Sequence, residues 1–156
     1  MISLLIIPAL AIMATLCYAS SLDIRERRVP FRTWYPMLAV SIPFTALFYG
    51  SLLYSGDFTR LVYLVTMALS FSLLFHLFAY FHLFGGADAW ALIFISLCIP
   101  AFPLTPLFGV PPPAFFPFSV LMNAVLLNLF IPVGIYLYNL KKGNKAPFPY
   151  RFLGFP

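Results

Sequence analysis

Between Thr33 and Leu140 only three side chains carry a formal charge: Asp57, Arg60 and Asp88. A run that long with so little to offer water is at home in a lipid bilayer. A hydrocarbon core about 30 Å thick needs about 20 apolar residues per helix, and backbone polar groups inside it must be paired within the helix. Five segments reach that length: roughly Ile2 to Ser20, Thr33 to Ser55, Phe58 to Phe84, Asp88 to Phe108 and Phe115 to Leu140. The expected fold is all-α, a polytopic transmembrane helix bundle of about five spans. Composition agrees, with 63% of the 156 residues hydrophobic and 8% charged, where a soluble domain carries about 25% charged residues. The opening "MISLLIIPALAIMATLCYASS" has no basic n-region and outruns a signal-peptide core of about 7–15 residues, so it reads as a retained first span.

The connections are short. "SGD" at 55–57 makes a tight turn, and "FGVPPPA" at 108–114 cannot be regular helix. Pro43, Pro100, Pro103 and Pro132 predict kinks, and Pro100, Pro103 and Pro106 can stop the fourth helix before the far membrane face. Residues 1–140 form the membrane domain and 141–156 a more polar tail, "KKGNKAPFPYRFLGFP".

The net charge of +5 would suit nucleic acid, but the placement of the cations points to the bilayer instead. Alternating connections put Arg25, Arg27, Arg28, Arg32, Lys141, Lys142, Lys145 and Arg151 on one side and Arg60 alone on the other. The basic side is expected to be cytoplasmic, with the N-terminus outside. Cys17 and Cys98 lie in apolar segments and form no CxxC pair, so they read as packing residues, not as zinc or redox ligands.

The chain has four acids: Asp23, Glu26, Asp57 and Asp88. Asp57 suits a solvated turn. Glu26, among Arg25, Arg27 and Arg28, is expected to form surface ion pairs of small value. Asp23 ends the first span and Asp88 opens the fourth, which puts both at the basic membrane face. A carboxylate at the edge of an apolar stretch is costly, and it can lose water and have its pKa raised. Two such groups in proximity share a proton and titrate as a unit. One can then take a proton from water while the other donates to a carbonyl oxygen, which is aspartic-protease chemistry without metal or nucleophilic Ser or Cys. Simpler roles compete: Asp88 as the N-cap of its helix, and Asp23 paired with the neighbouring arginines. Gly85 and Gly86 fit a flexible turn in either case. His76 and His82, six residues apart, face different sides of a helix with no third ligand, so they read as interface or packing histidines. Asn123 and Asn128 suit interhelical hydrogen bonds, with a substrate-backbone contact as the sharper alternative.

"DIRERRVP" at 23–30 followed by "FGGADAW" at 84–90 resembles the archaeal preflagellin and prepilin peptidases of the type IV prepilin peptidase superfamily, the GxGD membrane aspartic proteases. "PFSVLMNAVLLNLFIPVGIYLYNL" in the fifth span also resembles that family, and the likeness covers most of the chain up to Leu140. The resemblance implies a catalytic pair, Asp23 and Asp88, supported by the motif residues Gly85, Gly86 and Ala87, with no cofactor and no metal. It implies a membrane-anchored pilin or archaeal flagellin precursor as substrate, cut between a short basic leader and its hydrophobic helix. It leaves Asn123 and Trp90 as candidate substrate contacts. Arg25, Arg27 and Arg28 would not attract a basic leader and are expected to bind anionic lipid headgroups. Ala87 stands where the motif has its second Gly. Trp90 stands where relatives often have Lys, which predicts slower cutting or altered specificity. The family often has six spans against five here, and nothing matches the cysteine-rich insert that accompanies N-methyltransferase activity in bacterial relatives. Against this peptidase stand two other classes, a non-catalytic membrane subunit and a small ion or proton transporter, the latter requiring polar residues through the bilayer midplane.

Overall fold

The structure, a computed structural model, describes residues 2–143 and 150–152. Every regular element among them is helical. A 3-10 turn, Ile2–Leu5, leads into α1, Ile6–Glu26. A second turn, Phe31–Trp34, leads into α2, Tyr35–Tyr54. Then follow α3, Phe58–Tyr80, α4, Gly86–Cys98, and α5, Phe116–Lys141. The described residues fall into two compact units, 1–118 and 119–156. Lys145 and most of the tail lie outside the described residues.

Four stretches are long and apolar enough to cross a membrane: Ser3–Glu26, Phe31–Tyr54, Phe58–Tyr80 and Phe116–Lys141. At about 1.5 Å per residue each reaches about 35 Å or more. The fourth expected span differs. Instead of running from Asp88 to Phe108, α4 stops at Cys98 after 13 residues, about 20 Å of helix. The stop is written in the prolines. Pro100 has no N–H for the Ser96 carbonyl, and Pro103 and Pro106 prevent a restart. The freed end is then satisfied from outside, because the Thr45 hydroxyl of α2 reaches the Cys98 carbonyl at 2.7 Å.

What α4 lacks in length it gains in cover. Ala89, Leu92, Ile93, Phe94, Ile95, Ser96 and Cys98 are all buried. The helix packs most extensively on α3 and also touches α2 and α1. By contrast the outer faces of α1, α2 and α3 carry Leu10, Met13, Leu47, Leu53, Leu69 and Leu73, each more than half exposed, as helices facing lipid must. The core of the first unit is completed by Leu5, Met37, Phe48, Leu64, Phe75 and Phe115. Phe71 edges against Phe75, Phe115 and Phe118. At the α2–α3 turn Asp57 caps α3 by accepting the Arg60 N–H at 3.2 Å. Both cysteines are free, Cys98 buried and Cys17 exposed. In the second unit the ring of Tyr136 stacks on Phe152, and the Asn128 amide donates to the Ala124 carbonyl of its own helix at 3.0 Å.

Candidate active site

Asp23 and Asp88 come from different helices and line the same cavity, of about 580 Å³. On α1 the lining residues are Leu16, Ala19, Ser20 and Asp23, a spacing of three and four that puts all of them on one helix face. On the α4 side they are Gly85, Gly86, Ala87, Asp88 and Ala91, and the α1–α2 connection adds Arg27, Arg28, Val29 and Trp34. The cavity exists because the flanking residues are small. Ala19 and Ser20 stand one turn before Asp23, and Gly85, Gly86, Ala87 and Ala91 surround Asp88. Both carboxylates are exposed.

Asp88 is not the cap of its helix. The N-cap is Gly85, which offers no side chain, and Asp88 lies in the first turn. Its carboxylate accepts no hydrogen bond from the described residues. The partial positive charge of the helix start still favours an anion there. A Cβ at Gly85 would sit 2.9 Å from Asp88 Oδ2, so a side chain there makes the carboxylate swing aside. At Gly86 a Cβ would meet nothing within 4 Å, so that glycine is not sterically required.

Asp23 lies in the last turn of α1, whose C-cap is Arg27 at φ 52 and ψ 28. The Arg27 N–H closes the turn on the Asp23 carbonyl at 2.9 Å. A residue other than glycine in this left-handed region costs about 1–2 kcal/mol. Asp23 forms no ion pair with the arginines around it, and neither does Glu26, among the described residues. The surface pairs expected of Glu26 are therefore not formed there.

Trp90 is not among the residues lining the cavity. Its ring stacks on Phe94 at 5.5 Å and meets the edge of Phe31 at 5.0 Å. Trp34 reaches Phe94 at 5.6 Å and His76 lies 6.4 Å from Trp90. These rings fasten the Phe31–Trp34 turn, which follows the basic loop, onto α4. Trp90 thus helps to hold the two cavity walls in register. His82, exposed at φ 58, sits in the turn after α3 and does not line the cavity. Asn123 lies in α5.

Sequence pattern missed the cavity walls. The sequence pattern alone points Arg27 and Arg28 to lipid and gives Trp34 and Ala91 no role. A usable signal was present, because small residues recur one helical turn from each acid: Ala19 and Ser20 before Asp23, Ala91 after Asp88.

No curated protein and no solved structure matches the chain significantly. The type IV leader peptidase family matches over residues 10–137, which includes most of α1, all of α2, α3 and α4, both acids and most of α5. With its membrane-spanning helices, this chain is a multi-pass membrane protein that belongs to the type IV leader peptidase family.

Proposed function

We propose that the protein is a membrane-embedded aspartic endopeptidase. It removes the short basic leader from a prepilin or preflagellin (archaellin) precursor at the cytoplasmic membrane face. The observation that carries this reading is that Asp23 and Asp88 line one cavity, from the end of one apolar helix and the start of another. Membership of a leader peptidase family supplies the reaction class.

Proton-sharing carboxylates suffice for the chemistry. One, ionised, removes a proton from a water molecule placed between them. The other, protonated, donates to the carbonyl oxygen as the water oxygen attacks its carbon. The tetrahedral intermediate then collapses, the C–N bond breaks, and the leaving nitrogen takes the proton that the first carboxylate removed from water. The carboxylates are exposed in the chain alone, so the arriving substrate helix has to supply the cover that excludes bulk water. The small residues lining the cavity leave room for an extended segment of backbone. The clustering of Arg25, Arg27, Arg28 and Arg32 beside Asp23 favours the cytoplasmic side for this cavity.

The test is leader removal from a prepilin or preflagellin precursor by the protein reconstituted in lipid, with mass spectrometry of both fragments. The expected cut lies between the basic leader and the hydrophobic helix. The double variant Asp23→Asn, Asp88→Asn should be inert. Cutting by that variant at the wild-type rate would refute the proposed chemistry.

A further inference from the structure

We propose that Arg27 and Arg28 form an anion subsite that holds the carboxylate created on the leader side of the cut bond; this rests on the peptidase function proposed for the same cavity. Arginines at a membrane face ordinarily serve headgroups and topology. Of the cluster Arg25, Arg27 and Arg28, the last two line the cavity that holds Asp23 and Asp88, and Arg25 does not. Neither guanidinium has a hydrogen-bond or ion-pair partner among the described residues, although Glu26 is adjacent in sequence. Arg27 is also held in a backbone region that side-chain-bearing residues rarely adopt, at φ 52, by its N–H bond to the Asp23 carbonyl. One turn of chain therefore presents an acid and a cation to the same space.

The reaction supplies the ligand. The substrate enters as a neutral amide. Water oxygen bonds to the carbonyl carbon, the C–N bond breaks and the nitrogen leaves as an amine with the transferred proton. The other product is a carboxylic acid that gives up its proton at neutral pH. At neutral pH the released amine takes up that proton, so cutting creates a carboxylate on the N-terminal fragment, the leader, and an ammonium group on the helix fragment. A guanidinium matches a carboxylate with paired N–H donors. Before the cut the same donors can meet backbone carbonyls of the leader. After it they hold the product, so the free leader should be a competitive inhibitor.

Binding of a synthetic leader peptide to the full-length protein in nanodiscs tests this, comparing a free C-terminal acid with the C-terminal amide. The wild type should bind the acid at least about tenfold more tightly. Arg28→Gln should reduce that preference to about threefold or less, as should Arg27→Gly, which removes the cation and relaxes the left-handed backbone. Arg25→Gln removes the same charge outside the cavity and should keep the preference, which separates contact from the general field. Equal binding of acid and amide by a wild type that cuts precursor overturns the subsite alone, as does an equal loss in Arg25→Gln. A wild type that cuts no precursor overturns the peptidase function and the subsite with it.

Discussion

Asp57 and Asp88 occupy matching places in the sequence, each an acid where an apolar helix begins, yet their carboxylates meet different fates. Asp57 stands at the N-cap of α3 and accepts the Arg60 N–H. Asp88 stands three residues later relative to its own helix start, behind a Gly85 cap, and bonds to nothing described. Both enjoy the positive end of a helix dipole. Asp57 also lines a cavity, of about 550 Å³, where its one charged companion is Arg60, whereas Asp88 shares its cavity with a second acid as well as with Arg27 and Arg28. The lesson is one of register. The same residue type serves the backbone at the cap and stays free for chemistry one turn in.

The contrast can be broken in order of size. Asp23→Asn and Asp88→Asn should each slow leader removal on the order of 10³-fold or more, as expected when a general acid or base is lost. Gly85→Ala should cost about 10²-fold in rate, because the new Cβ displaces the Asp88 carboxylate and misplacement by about 1 Å is that expensive. Gly86→Ala enters open space and should stay within about threefold of wild type. Equal losses for both glycine variants would show that the turn matters for flexibility and not for room. Trp90→Ala should lower stability by about 2 kcal/mol, read by thermal unfolding in detergent, since it removes the ring that joins Phe31 to Phe94. Asp57→Ala should cost about 1 kcal/mol through the lost cap while leaving the cleavage rate unchanged.

Hydropathy and proline placement are local properties, and the elements that depend on them were legible. The spans built on α1, α2, α3 and α5 follow from apolar length, and the early end of α4 follows from Pro100. Hydropathy does not report what covers an apolar segment, so Leu92, Ile93 and Ile95 could not be told from lipid-facing residues, although they are the core. Counting spans and the family likeness both point to Asp23 and Asp88 at one membrane face, and the two line one cavity. The place of Arg27 was not legible, because a left-handed turn at an arginine carries no Gly or Asn signal. Nor was the aromatic cluster, whose members Phe31, His76 and Trp90 are brought together only by the fold.

The most direct test sets three aspartates side by side. Leader removal is measured on one reconstituted precursor for Asp23→Asn, Asp88→Asn and Asp57→Asn, with helical content and thermal unfolding recorded on the same preparations. The expected result is that all three fold, the first two fail to cut and the third cuts at the wild-type rate. A folded Asp23→Asn or Asp88→Asn protein that cuts as the wild type does would contradict the catalytic pair.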